Sequence, residues 1–203
     1  MIPFPNKKYQ IIYADPPWKY SSKELYGDKI MGYKNGIRKR FADIERIYPT
    51  MGLREIMDLP INGIVQKDCA LFLWVTDSHL PEGLKVIEAW GFKYKTIAFT
   101  WLKKYSTGTT VFNFAPWSLK SCEICLLGIR GAMSKYKKSN NVKQLVIADR
   151  TEHSKKPHEV RKRIEELFGE IPRIELFARH KVRGWDSWGN EELREAYIQD
   201  KII

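Results

Sequence analysis

Apolar residues in this chain gather into short runs broken by proline, glycine and charge. Gln10-Ile11-Ile12-Tyr13-Ala14 has no polar alternation after its first residue and reads as a strand buried on both faces. Cys69 to Thr76 reads the same way. Pro81 opens a helix to Trp90 with Leu84, Ile87 and Trp90 at helical spacing and Gly91 as its stop. Phe92 to Lys104 alternates as a strand, and Cys122 to Ile129 and Leu145 to Ala148 follow as two more. Pro157 starts a helix to Phe168, stopped by Gly169, with Val160, Ile164 and Leu167 as its apolar stripe. Arg173 to Ala178 is a strand and Asn190 to Tyr197 a last helix; Thr50 caps a short helix to Met57, ended by Pro60. Strand, helix, strand in succession predicts an α/β fold, a mostly parallel sheet with helices on both faces. With no repeat, low-complexity segment or linker, residues 1–203 read as a single domain.

Between these elements lie polar stretches. Residues 19–48 mix Lys34, Arg38, Lys39 and Arg40 with Tyr20, Tyr26, Tyr33 and Phe41. Cations follow phosphates and rings stack on bases, so this stretch suits a nucleic-acid groove as well as a solvated loop. Residues 105–120 hold Trp117 and read as a second long loop or a hairpin connection. Residues 131–143 are basic and read as a solvated loop able to touch phosphate.

A net charge of +11 agrees with a polyanionic partner without specifying it. No apolar run reaches membrane-spanning length and the start is unlike a signal peptide, so a cytoplasmic protein with no membrane partner is expected. Cys122 and Cys125 have the spacing of half a zinc site, but no second pair follows. Residues three apart on a strand face opposite sides, so Cys69, Cys122 and Cys125 read as reduced core thiols and no metal is expected.

The first strand ends in Asp15-Pro16-Pro17-Trp18. Pro16 keeps Asp15 extended, and two prolines remove two backbone donors. That leaves the Asp15 carboxylate and the Pro16 carbonyl as acceptors with no donor competing, and Trp18 as a flat face. Two acceptors suit the exocyclic amine of a nucleobase, whose lone pair is delocalised until its hydrogens are held.

Asp15-Pro16-Pro17-Trp18 resembles the signature of the adenine-N6 methyltransferases related to the mRNA-adenosine methyltransferase, which include phage and bacterial DNA adenine methylases. Leu71-Phe72-Leu73-Trp74-Val75-Thr76 is similar to that family's central strand. Ser154-Lys155-Lys156-Pro157-His158-Glu159 is similar to its cofactor-carboxylate motif. Ile174-Glu175-Leu176-Phe177-Ala178-Arg179, then Trp185-Asp186-Ser187-Trp188-Gly189-Asn190-Glu191, is similar to its carboxy-terminal block. The resemblance implies a Rossmann-like, S-adenosylmethionine-dependent methyltransferase fold with the catalytic motif ahead of the cofactor motif. It implies catalysis by Asp15, Pro16, Pro17 and Trp18, and cofactor contacts from Ala14, Asp15, Lys156 (to the methionine carboxylate), Arg179, Asn190 and Glu191. The chain has no Gly-x-Gly, and neither does that family, which argues against an ordinary dehydrogenase. Nucleic-acid contacts are expected from Tyr20, Lys34, Arg38, Lys39, Arg40 and Trp117.

DNA is preferred over RNA as substrate, because the short form is similar to phage and bacterial members, including restriction-modification methylases. RNA adenosine methylation and a non-catalytic nucleic-acid-binding subunit remain as alternatives. Cytosine-N4 and glutamine-amide methylation are rival chemistries, with Ser or Asn usual where this chain has Asp15. A homodimer and a second methyltransferase-like subunit both stay open.

Overall fold

The computed structural model describes residues 3–19, 50–113, 115, 117–150 and 155–189. Seven strands form one sheet: β1 (Tyr9–Ala14), β2 (Val65–Val75), β3 (Lys93–Lys104), β4 (Cys122–Arg130), β5 (Leu145–Asp149), β6 (Arg173–Leu176) and β7 (Asp186–Trp188). Their order is β5-β3-β4-β2-β1-β6-β7. β1 pairs in parallel with β2 and β6, β6 with β7, and β3 with β5. β4 runs antiparallel to both its neighbours. The fold is therefore α/β and Rossmann-like, with one reversed strand between β2 and β3.

Successive residues of the central strands face opposite layers. Ile12, Ala14, Leu71 and Leu73 pack beneath α1 (Leu53–Met57) and α2 (Leu80–Ala89) through Ile56, Val86, Ile87 and Trp90. Ile11, Tyr13, Phe72 and Trp74 pack on the other face, with Val160, Ile164 and Phe168 of α3 (His158–Phe168). All six residues of β1 are buried, as a strand covered on both sides must be.

Several expectations are corrected. Gly52, not Thr50, precedes α1, and its N–H donates to the Glu55 carboxylate at 2.6 Å. Leu84 is exposed; Gly83 takes its place on the buried face, pressed against Val75. Phe168 rather than Leu167 ends the buried stripe of α3. The first half of β3 is exposed rather than alternating. Residues 186–188 form an edge strand that three residues of mixed polarity do not announce. The expected helix from Asn190 lies outside the described residues.

Chain order reverses at β1: β2 flanks it on one side and β6, from much later in the sequence, on the other. In open α/β sheets such a switch point leaves a crevice at the strands' carboxyl ends. Asp15 follows β1 there, and Phe177 follows β6.

Candidate active site

Asp15 leaves β1 directly into the Pro-Pro turn, its carboxylate a quarter exposed. Lys156, just ahead of α3, donates from Nζ to Asp15 Oδ2 at 2.6 Å. The same ammonium lies 3.3 Å from Glu123 Oε2, and Lys103 pairs with Glu123 Oε1. Lys156 is 9% exposed and sits over the Trp74 ring, 5.5 Å from its centroid. Trp74 is fixed in turn by its indole N–H donating to Tyr13 Oη at 2.7 Å. Four elements thus place Lys103, Glu123, Lys156 and Asp15 in a line of alternating charge.

Burial raises the Asp15 pKa above the usual carboxylate range, against the opposing pull of Lys156 and, more weakly, Arg179. Burial acts on Glu123 in the same sense, but Lys156 and Lys103 outweigh it and hold the acid below its ordinary value. Burial would lower Lys156, yet Asp15 and Glu123 overcome it and keep the ammonium charged. Two neighbouring carboxylates pushed in opposite directions are a pattern that catalytic sites and structural ion-pair networks share.

Two expectations about the motif change. Asp15 is not free of donors, since Lys156 holds it. The Pro16 carbonyl accepts the Trp18 N–H at 2.9 Å, leaving one lone pair. Trp18 is not an open stacking face: it is 6% exposed, stacks on His79 with centroids 5.4 Å apart, and donates from its indole to the Trp74 carbonyl at 3.1 Å. It acts as a strut for the turn. Met51 completes that strut, its N–H donating to the Pro17 carbonyl at 2.8 Å while its carbonyl accepts the Lys19 N–H at 3.1 Å. Lys19 and Met51, on either side of residues 20–49, are therefore both held at the turn. His79 joins Thr76 Oγ1 (2.9 Å) to the Lys19 carbonyl (3.3 Å).

On the β6 side, Phe177 has φ of 60°, a left-handed conformation that costs a residue with a side chain about 1–2 kcal/mol. Its ring packs edge-on against Trp188, 5.6 Å away, and Phe4 stacks on the same indole at 4.3 Å. The Ala178 N–H donates to the Trp188 carbonyl at 3.0 Å. A Cβ on Gly189 would lie 2.5 Å from the Ala178 carbonyl oxygen. The turn after β6 and the end of β7 are thus pressed backbone to backbone.

Of the expected cofactor contacts, Ala14, Asp15, Lys156 and Arg179 gather at this end of the sheet, Arg179 close enough for its charge to act on Asp15. Asn190 and Glu191 lie outside the described residues, as do Tyr20, Lys34, Arg38, Lys39 and Arg40. Trp117 is 98% exposed in the β3–β4 connection, which is a hairpin extended by the Lys104–Thr110 and Asn113–Lys120 bridges. Cys69 and Cys125 are buried, Cys122 is half-buried, and all three are free thiols. Sequence reasoning missed Glu123, Lys103 and His79. An acid inside the apolar run Cys122-Glu123-Ile124-Cys125 was the available signal.

The family model for MT-A70 matches residues 9–191. The chain belongs to the MT-A70 family of adenine-N6 methyltransferases. It is 38% identical over 190 residues to the Type II methyltransferase M.MunI of a Mycoplasma species, covering 92% of this chain and 79% of that one. It is 29% identical to an N(6)-adenosine-methyltransferase MT-A70-like protein of Arabidopsis thaliana, over 90% of this chain and 24% of the relative. It is 27% identical to the human N(6)-adenosine-methyltransferase catalytic subunit METTL3, over 91% of this chain and 28% of the relative. The MT-A70 chain thus spans most of the bacterial relative and about a quarter of the others. Among the described residues, no helix is long and apolar enough to cross a membrane and no acid, His and Cys cluster could hold a metal.

Proposed function

We propose that this MT-A70 protein transfers a methyl group from S-adenosylmethionine to the N6 amine of adenine in DNA. The observation that carries this reading is the Asp15 carboxylate at the carboxyl end of β1, where β6 flanks it, paired to a buried ammonium. The similarity to M.MunI over most of both chains supports DNA.

The donor set fits the methyl donor. Asp15 offers the ligand's ammonium an acceptor, while Lys103 balances Glu123 and leaves the line of four charges neutral. Lys156 has a third hydrogen for a carboxylate, and the tight Phe177–Arg179 turn, with Asn190 and Glu191 beyond it, would take the ribose. S-adenosylmethionine, when bound, supplies an electrophilic methyl on sulfur. Asp15 accepts one hydrogen of the adenine amine and the remaining Pro16 lone pair the other, which localises the nitrogen lone pair and aims it. In duplex DNA the base must leave the stack, at a cost of a few kcal/mol. With Trp18 buried, an exposed ring such as Trp117 or Phe112 is better placed to stack on it. Strand contacts fall to residues 19–49, where Tyr20, Lys34, Arg38, Lys39 and Arg40 lie, and to residues 105–120. A second copy or a second methyltransferase-like subunit would extend them. The enzyme would work in the cytoplasm of a bacterium or a phage-infected host cell, where its DNA is.

RNA adenosine methylation is the second reading, favoured by the plant and human relatives. One experiment tests both: labelled S-adenosylmethionine with double-stranded DNA, single-stranded DNA and RNA, followed by location of the methyl. DNA N6-methyladenine is expected, with Asp15→Ala slower by about 10²–10³. Label on RNA alone, or wild-type rate in the variant, overturns the assignment.

A further inference from the structure

Asp15 can accept a hydrogen from adenine on Oδ1 while Lys156 keeps Oδ2, but it accepts more strongly once its hold on Lys156 loosens. An ammonium at 2.6 Å from Oδ2 makes a charge-assisted hydrogen bond and weakens the carboxylate as an acceptor for anything else. Yet a buried ammonium cannot be left without a partner, because stranding it costs several kcal/mol. The structure supplies the alternative partner. Glu123 Oε2 already stands 3.3 Å from the same nitrogen. Glu123 cannot follow Lys156 toward Asp15, because its other oxygen is held by Lys103, itself placed over the Trp101 ring at 5.1 Å. Trp74 provides a fixed floor beneath the ammonium.

We propose that Glu123 is a positioning residue that takes over Lys156 when Asp15 turns to the substrate amine, with Lys103 anchoring Glu123 for that purpose. Lys156 moves a short way between two carboxylates, no proton changes owner, and the charge of the site is conserved. This rests on Asp15 being the amine acceptor, as set out above. Lys103 and Glu123 touch neither amine nor methyl donor in this scheme; they act through Lys156.

The groups facing Asp15 are Lys156 ahead of α3, Arg161 on α3, Glu123 and Cys125 on β4, and Arg179 after β6. Removing the Glu123 charge leaves Lys156 wholly to Asp15 and lowers the Asp15 titration midpoint. Removing Lys103 frees Glu123 to draw Lys156 away and raises it. Protein labelled with ¹³C at the aspartate carboxyl carbons, without cofactor or nucleic acid, reports this midpoint directly, with Asp15→Asn assigning the signal. Glu123→Gln is expected to move it down by about one pH unit and Lys103→Met to move it up. Single-turnover methylation by Glu123→Gln is expected to fall about tenfold while S-adenosylmethionine affinity changes less. Midpoints unmoved, or moved in the same direction in both variants, overturn the proposal, as does a wild-type rate in Glu123→Gln. Should Glu123→Gln fail to fold, the direction of the Lys103→Met shift alone decides. The titration needs no substrate, so its outcome stands apart from whether the wild-type protein methylates DNA.

Discussion

Gly189→Ala replaces a hydrogen by a methyl where there is no room for one. The added carbon would meet three backbone atoms of one residue, at 2.5 Å from the Ala178 oxygen, 3.1 Å from its nitrogen and 3.4 Å from its carbonyl carbon. No side chain can rotate away to relieve this, so the two segments must part by roughly 1 Å to reach ordinary contact. Overpacking of this kind costs about 1–3 kcal/mol. The Ala178–Trp188 hydrogen bond opens with it, and Ala178 is 2% exposed, so its N–H is left without water. An unsatisfied buried donor costs another 1–3 kcal/mol or so. The two costs share one displacement, so about 3 kcal/mol in all is the expected loss. At 2–4 °C per kcal/mol for a chain of this size, Tm falls by roughly 6–12 °C. The same displacement moves the turn at Phe177–Arg179, and S-adenosylmethionine affinity by calorimetry should drop at least about tenfold. Gly63→Ala is the control: nothing lies within 4 Å of its added carbon, and its Tm should stay near wild type. A Gly189→Ala protein with wild-type Tm refutes the steric reasoning. Lowered Tm with wild-type affinity refutes the link between this contact and the cofactor.

Other perturbations read other parts of the site. Lys156→Met leaves Asp15 without its cation, though Glu123 keeps Lys103, and should cost about 3–5 kcal/mol at neutral pH. The Asp15 pKa, already raised by burial, then lies further above its unfolded value, so protonation favours the folded form. The deficit in urea midpoint must shrink as pH falls toward the unfolded carboxylate range near about 4, and a gap independent of pH would contradict this. Trp18→Phe removes the indole donor from the buried Trp74 carbonyl and should destabilise by about 1–3 kcal/mol in urea titrations; wild-type stability would return Trp18 to a purely ligand-facing role. Trp117→Ala should leave Tm unchanged and weaken binding to single-stranded DNA about tenfold by fluorescence anisotropy, with equal affinity counting against a stacking role.

The sheet was legible where residues carried it alone. Ile11, Ile12 and Leu71 to Trp74 can only be buried, and Pro16 fixes where β1 stops. Pairing was not legible, because nothing within Cys122 to Ile129 says that the strand enters between β2 and β3 in reverse. Spacing also left the phase of a helix open by one position, hence Leu84 for Gly83 and Leu167 for Phe168. Resemblance brought Asp15 and Lys156 to one site but cast them as separate ligands, since no sequence pattern shows that two charges touch. Trp18 reads identically as a stacking face or a strut until His79 and the Trp74 carbonyl are seen against it. Gly189 is required by a contact with Ala178, which is apparent only in three dimensions.

Asp15 and Lys156 are 141 positions apart along the chain. At ribosomal speeds of about 5–20 residues per second, the acid emerges on the order of ten seconds before its lysine is even translated. Throughout that interval β1 also lacks β6, the neighbour that closes one of its two flanks. A nascent or prematurely released chain ending short of Lys156 therefore carries the full Asp-Pro-Pro-Trp signature without the ammonium that pairs with Asp15. Completing translation is what closes that ion pair, so truncated products are expected to be inert toward DNA rather than indiscriminate.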